Sequence, residues 1–403
     1  LNDGICEDGI VIIGNGIAGL SAAEAARKNN NKIPITIISD EKYLTYYRLR
    51  LCEEIISEEE NGKGVILHDY EWYSERNISL ILEKKVTAIL PEEMSVLLDT
   101  GEKLNYSKLI IASGCSSRMP DIKGIEKNGV FGLRSLKDAE GIKEKLKKAS
   151  RAVVAGGGLL GLEAAYNLRK KGLEVSIVDI CPHLLSRQLD EQASLLLEKK
   201  VRSLGIELFM GLSVQAINGG NFAEQVLLSD GTDIKSELVL FSAGVLPNLA
   251  FIDTCSIQKD RGIIVNERML TDNLNIYACG DVAEFQKQMP GQWAVSMNQG
   301  SVAGLNASGG DSEYIFNSTP YFLNTMGIKL YSIGNISING DSCDTLEYID
   351  EKNYVYQKLV FDNGLCVGGI LMGDVGKFSK YNNAVRNSLR KEDVIAENLV
   401  RQA

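Results

Sequence analysis

Two glycine-spaced turns, each set between an apolar run and a helix of small residues, leave this chain few folds to choose from. The first lies in Gly9-Ile-Val-Ile-Ile-Gly-Asn-Gly-Ile-Ala-Gly-Leu20, where Gly14, Gly16 and Gly19 meet the G-x-G-x-x-G spacing. A helix through Ala22, Ala23, Ala25 and Ala26 follows, and after Pro34 the run Ile35-Thr-Ile-Ile-Ser39 gives a second strand that ends in Asp40. The plan returns at Arg151-Ala-Val-Val-Ala-Gly-Gly-Gly-Leu-Leu-Gly-Leu-Glu163, with Gly156, Gly158 and Gly161 at the same spacing. Its helix runs through Ala164, Ala165 and Leu168, and its second strand is Glu174-Val-Ser-Ile-Val-Asp179. Two βαβ units roughly 140 residues apart form an internal repeat of a whole domain.

The glycines have a chemical reason. A diphosphate that accepts backbone N–H bonds at a helix N-terminus, where the dipole is positive, must approach without meeting side chains. One such turn can be no more than a tight strand-to-helix connection, but two in the same setting point to two dinucleotides. An acid at the end of the second strand then accepts from ribose hydroxyls. Asp40 fits in the first unit, with Glu41 a close competitor, and Asp179 fits in the second. A carboxylate at Asp179 repels a 2′-phosphate, and Ile180-Cys-Pro-His-Leu-Leu185 holds no arginine cluster, so NADH is favoured over NADPH. Arg187 is the residue that could reverse this preference.

Further apolar strands are expected at Ser107-Lys-Leu-Ile-Ile-Ala-Ser-Gly114, at Ser236-Glu-Leu-Val-Leu-Phe241 and at Asn275-Ile-Tyr-Ala-Cys-Gly-Asp281. The Gly- and Ser-rich stretch 306–313 reads as a linker, and alternation in Tyr354-Val-Tyr-Gln-Lys-Leu-Val-Phe361 predicts an antiparallel sheet. From Lys377 onwards a polar, basic, surface-lying helical stretch is expected.

Composition narrows the class. The 403 residues suit two to three domains of about 150 residues. With 43 basic and 53 acidic residues the net charge is −10, which argues against a chain-wide nucleic-acid surface. No apolar run reaches the length of a membrane span, and no signal layout is seen, although a start at Leu1 suggests a trimmed or processed end. The eight cysteines (Cys6, Cys52, Cys115, Cys181, Cys255, Cys279, Cys343 and Cys366) are scattered, as expected of reduced thiols in a cytoplasmic protein. His68 and His183 are the only histidines, so no metal site is expected.

Taken together, the two nucleotide units, Ala112-Ser113-Gly114 after a strand, Gly244-Val-Leu-Pro247-Asn248 and Tyr277-Ala-Cys-Gly280-Asp281 resemble the two-dinucleotide-domain flavoprotein oxidoreductases over nearly the whole chain. The resemblance implies an α/β, glutathione-reductase-like fold with two Rossmann-like domains and a C-terminal α+β domain. The FAD-binding domain would take residues 1–115 and 245–312, the NAD-binding domain 116–244, and an interface-type domain 313–403. Asp281 resembles the acid that binds the FAD ribityl chain, and Gln299 with Gly300 resembles the helix start beside the flavin pyrimidine ring, where Trp293 is either flavin-facing or ordinary packing. The same resemblance extends the cofactor-binding set to Ala18, Val86, Ala112, Ser113, Gly114, Arg118, Leu159, Leu160, Gly244 and Gly280.

Within that family, Glu41-Lys-Tyr-Leu-Thr-Tyr-Tyr-Arg-Leu-Arg-Leu51 is similar to a segment of NADH:rubredoxin oxidoreductases and of the flavin domain of assimilatory nitrite reductases, with Leu49 replacing a proline. By that match Arg48 sits against the flavin or its diphosphate, while Arg50 is either a second contact or a surface ion pair. Disulfide-reducing members carry a cysteine pair in this neighbourhood, where this chain has only Cys52, three positions beyond the place of the single redox cysteine of others. Cys52 is therefore read as a packed or partly exposed thiol. Glu163 resembles a catalytic glutamate near the flavin–nicotinamide contact, the alternative being a first-turn helix acid favoured by the dipole.

The resemblance implies that NADH reduces FAD by two electrons, which leave one at a time to a small iron–sulfur protein, most simply rubredoxin, because a metal-bound acceptor takes no hydride. Rubredoxins are acidic, so a basic patch is expected, with Lys42, Arg48, Arg50 and Arg118 as candidates. The competing readings are an NADH oxidase, peroxidase or disulfide reductase working through Cys52, a flavin electron-transfer subunit for nitrite reduction, and a non-enzymatic redox sensor. Monomer and homodimer both remain open.

Overall fold

A computed structural model describes residues 9–57, 62–316, 319–338 and 342–401. Cys6 lies outside the described residues. In chain order the elements that matter begin with β1 (Ile10–Ile13), α1 (Ile17–Asn29), β2 (Ile35–Ile38), α2 (Leu51–Glu54), β3 (Ile78–Ile81) and β4 (Lys108–Ile111). They continue with β5 (Val130–Gly132), β6 (Arg151–Ala155), α3 (Leu159–Lys170), β7 (Glu174–Asp179), α4 (Glu191–Ser203), β8 (Ile206–Met210) and β9 (Leu238–Phe241). Next come β10 (Ile276–Ala278), α5 (Trp293–Ala307) and five strands, β11 (Tyr321–Thr325), β12 (Ile328–Gly334), β13 (Cys343–Asp350), β14 (Val355–Asp362) and β15 (Leu365–Met372). Helices α6 (Phe378–Arg386) and α7 (Lys391–Ala396) follow.

The described residues within 1–54, 58–116 and 245–316 form one compact unit, and those within 55–57, 117–244 and 317–403 form a second. In the first, the parallel sheet has the order β10–β4–β1–β2–β3. Every residue of β1 and β2 is buried, as continuous Ile/Val runs in a sheet covered on both faces require. In the second unit the parallel sheet reads β5–β9–β6–β7–β8, the same order with the same chain direction. The repeat seen in the glycines therefore extends to whole Rossmann-like sheets. It breaks at one edge only: the fifth strand comes from later in the chain in the first sheet (β10) and from earlier in the second (β5).

Helix α1 is built of small residues because α5 lies on it at backbone distance. A β-carbon at Gly300 would fall 2.2 Å from the Ala18 carbonyl oxygen, and one at Gly304 would fall 2.0 Å from that of Ala22. The stretch 306–313 is fixed, not a free linker. The Asn306 amide donates to the carbonyls of Arg268 (2.9 Å) and Ser312 (2.8 Å), and its oxygen accepts from Ser312 N–H at 2.8 Å. Tyr314 just beyond it is buried in the core of this unit.

The C-terminal strands form the antiparallel sheet β11–β12–β15–β14–β13. The segment after Lys377 corrects the expectation of a surface-lying stretch. Tyr381, Ala384, Val394 and Leu399 are buried in a cluster with Tyr331, Leu359, Phe361 and Leu371 of this sheet. Its polar composition conceals two short amphipathic helices that present one apolar face each. Among the described residues, no helix is long and apolar enough to cross a membrane.

Candidate functional site

The two glycine turns share one geometry. Gly14 has φ +108° and Gly156 φ +122°, and a β-carbon on either would fall 2.2 Å from the Ala112 carbonyl oxygen or 2.3 Å from that of Ser242. A β-carbon on Gly19 or Gly161 would strike the carbonyl oxygen of Gly14 or Gly156 at 2.0 and 1.9 Å. The first and third glycines are thus required by the fold. The middle ones are not: beyond the adjoining chain, a β-carbon at Gly16 or Gly158 would meet no protein atom within 4 Å. Both are the N-cap residues of long helices, α1 and α3, and neither cap supplies a side-chain acceptor to the first-turn N–H groups. Packing accounts for the outer glycines; it does not account for the inner pair, each of which leaves a helix end without a side-chain cap, the setting that suits an anion.

In the first unit, Gly280 has φ +76° and its N–H donates to Gln299 Oε1 at 2.9 Å, while a β-carbon there would lie 2.8 Å from that of Ala18. Gln299 is 1% exposed, so its carboxamide holds this turn. Asp281 beside it is half-buried, accepting from Ser296 Oγ at 3.2 Å and from the Cys115 thiol at 3.3 Å. Ser113 and Gly114 are tied to Asn248: Ser113 Oγ donates to the Asn248 carbonyl (3.1 Å), the Asn248 amide donates to the Ser113 carbonyl (2.8 Å), and Asn248 N–H donates to Gly114 (3.0 Å). Ala112 is buried, and Val86 lies in the core with its pairing partner Leu98, its side chain turned into the protein.

Arg48 is half-buried in a polar triad. Its guanidinium donates to Glu41 Oε1 at 2.5 Å and to the Tyr46 hydroxyl at 2.6 Å, and Tyr46 donates to Glu41 Oε2 at 2.7 Å. Burial works against the charge on Arg48, but Tyr46, Glu41 and Asp281 outweigh it and hold its pKa above the ordinary value. Between the two acids offered by the sequence, Asp40 is exposed and Glu41 is the one engaged here. Arg50 makes the surface ion pair, with Glu53 at 2.7 Å, and Lys42 lies over the Tyr43 ring. Trp293 packs edge-on against Tyr47, ring centroids 4.7 Å apart. Cys52 on α2 is 2% exposed.

In the second unit, Asp179 Oδ2 accepts from Gly157 N–H at 2.5 Å and its Oδ1 from Cys181 N–H at 2.8 Å. Leu159 and Leu160 are the first two residues of α3. Glu163 is the fifth, and the first turn holds no acid, which removes the first-turn dipole reading of this residue. Arg118 is exposed, its N–H donating to the carbonyl of Gly244, a residue at φ +92°. Arg187 is exposed, eight positions past Asp179. The sequence reading missed Asn248, Cys115 and the Glu41–Arg48 pairing. Asn248 lay inside a quoted motif and Cys115 one position beyond another, but nothing in the spacing signals their bonds to Ser113 and Asp281.

Residues 8–300 match the family model described as pyridine nucleotide-disulphide oxidoreductase. The chain belongs to this family. In addition, residues 321–389 match the rubredoxin NAD+ reductase C-terminal domain. Among pyridine nucleotide-disulphide oxidoreductases, the chain is 38% identical over 379 residues to NADH-rubredoxin oxidoreductase of Clostridium acetobutylicum, covering 94% of each. The crystal structure of NADH:rubredoxin oxidoreductase from the same organism superposes with a TM-score of 0.83 at 35% identity, covering 97% of this chain and 99% of that one. A nitrite reductase [NAD(P)H] of Bacillus subtilis is 31% identical over 390 residues, which are 96% of this chain and 48% of that protein. The fold expected from the glycine repeat is borne out. Among the described residues no disulfide joins two cysteines.

Proposed function

We propose that this chain is an NADH-dependent flavoprotein reductase that passes electrons from NADH through FAD to a small redox protein, rubredoxin being the acceptor that best fits. The observation that carries the reading is the pair of turns whose central glycines, Gly16 and Gly158, leave bare helix ends open in two parallel sheets that share one strand order apart from an edge strand. FAD, when bound, supplies the chemistry of taking two electrons as hydride and giving them up one at a time. The chain's residues bind and orient. The Gly16 end of α1 holds the flavin diphosphate, Arg48 lies against flavin oxygens, and Asp281 accepts from ribityl hydroxyls. Glu41 or Asp40 takes the adenosine ribose. The Gly158 end of α3 holds the NADH diphosphate, Asp179 turns from the loop N–H groups to the ribose, and Glu163 faces the nicotinamide end.

The FAD-binding domain comprises 1–115 and 245–312, the NAD-binding domain 116–244, and 313–403 is the interface-type domain, in a monomer or homodimer. Reduced thiols suit a cytoplasmic location. Cys52 takes no part in turnover, because a buried thiol presents no sulfur to substrate. Anaerobic stopped-flow mixing with NADH should bleach the bound flavin, and rubredoxin should then reoxidise it faster than oxygen or peroxide does. Faster discharge by oxygen, or loss of turnover in Cys52→Ser, defeats the assignment.

A further inference from the structure

Asn15, between Gly14 and Gly16, has no counterpart in the second turn. There the equivalent position is Gly157, where a β-carbon would lie 2.6 Å from Leu184 Cδ2 and 3.1 Å from Asp179 Oδ2. The second turn is tied to the loop after its second strand by main chain and acid: Gly157 N–H donates to Asp179 at 2.5 Å, and Leu185 N–H donates to the Gly157 carbonyl at 3.2 Å. In the first turn Glu41 is engaged with Tyr46 and Arg48, and Asp40 is exposed. The tie runs through side chains instead.

Thr45 Oγ1 lies 3.0 Å from the Asn15 carbonyl oxygen and 2.8 Å from Asn15 Oδ1. The Tyr73 hydroxyl lies 2.9 Å from Thr45 Oγ1 and 3.4 Å from Asn15 Oδ1. Asn15, Thr45 and Tyr73 are all buried. Each hydroxyl brings one proton, so the chain of donors ends on the oxygens of Asn15. The Asn15 amide nitrogen is buried with no partner among the described residues. What the carboxamide oxygen holds is Thr45, and Thr45 begins the segment that ends in Arg48. The main chain of that segment is fixed by Tyr47 N–H donating to Val65 (2.8 Å) and Leu67 N–H donating to Thr45 (2.9 Å), Glu41 holds its Tyr46 and Arg48 side chains, and Asn15 holds the Thr45 hydroxyl.

We infer that Asn15 is a positioning residue: through Thr45 it sets Arg48 in register with the flavin-binding turn. This rests on the placement of Arg48 against the flavin proposed above. The test is a double-mutant cycle on the FAD-loaded protein, read as the single-turnover rate of flavin reduction by NADH and as the flavin absorption spectrum. Asn15→Ala and Thr45→Val should each slow reduction about tenfold, the scale of a small misplacement. Thr45→Ser, which keeps the hydroxyl, should stay within about twofold of the parent. In an Arg48→Ala background, Asn15→Ala should add no further slowing and no further spectral change, since coupled residues are non-additive. Should Asn15→Ala fail to fold, Thr45→Val takes its place in the cycle. Equal slowing with and without Arg48 overturns the inference while leaving the reductase reading intact, as does a Thr45→Val rate equal to the parent's. A parent protein that takes up no FAD overturns the reading itself, and the inference with it.

Discussion

At Gly16 and Gly158 packing does not demand glycine and each helix is left without a side-chain cap, so the proposed approach of an anion can be tested at single residues. Gly16→Val should yield protein that purifies without flavin. Gly158→Val should retain flavin yet raise the KM for NADH at least about tenfold, which steady-state kinetics will show. The two variants separate the two cofactors at the level of one residue each. A different residue, Glu237, sets a pH response. Burial pushes its carboxyl up, but the Arg151 guanidinium and the amides of Ser150 and Arg151 outweigh this and bring the pKa down to about 2 from an ordinary 4.5. A carboxyl depressed on folding stabilises fully above its unfolded pKa, and that contribution is lost as pH falls toward the folded value. Glu237→Gln should therefore destabilise the fold at pH 7 by about 1 kcal/mol, the scale of a part-exposed pair, and thermal unfolding should show it as a lower melting temperature. The gap to the parent should close as pH falls from about 4.5 toward 2. A gap independent of pH would refute this assignment.

Among elements, the α1–α5 contact has the least room. Gly300 and Gly304 lie four apart on one face of α5, and each meets an alanine carbonyl of α1 at a distance no β-carbon tolerates. Gly304→Ala should cost about 2 kcal/mol by denaturant unfolding, an overpacking penalty. Because α1 carries the flavin-side turn at its N-terminus, the variant should also release flavin at lower denaturant than the parent. The contact was half legible beforehand: Gly300 stood in a quoted motif, whereas Gly304 gains meaning only when Ala22 is opposite it. Helix α3 shows the converse. Its glycines were readable, but the place of Glu163 in the second turn followed only from where the helix begins.

For the whole molecule, a net charge of −10 makes association with an acidic acceptor depend on local cations. Two of the four candidates are paired, Arg48 with Glu41 and Arg50 with Glu53, so the basic patch is weaker than its sequence suggests. The rubredoxin-dependent rate should accordingly change less than about threefold between roughly 0.05 and 0.5 M salt, and a steep fall would point to a steering surface elsewhere. Although the full order of the sheets was not legible, the pairing of β1 with β2 and of β6 with β7 and the need for six glycines were written in the chain, because strand–turn–helix chemistry is local and a strand followed by its crossover pairs with predictable neighbours. Periodicity showed the antiparallel C-terminal sheet for the same reason. Tertiary structure alone decided the partners of side chains far apart in sequence: Asn248 with Ser113, Cys115 with Asp281, and Asn15 with Thr45 and Tyr73. It also decided that a Gly- and Ser-rich stretch is clamped by Asn306 and that a polar tail buries Tyr381. Hydrogen bonds and close packing depend on which surfaces meet in space, and spacing along a chain carries no record of that.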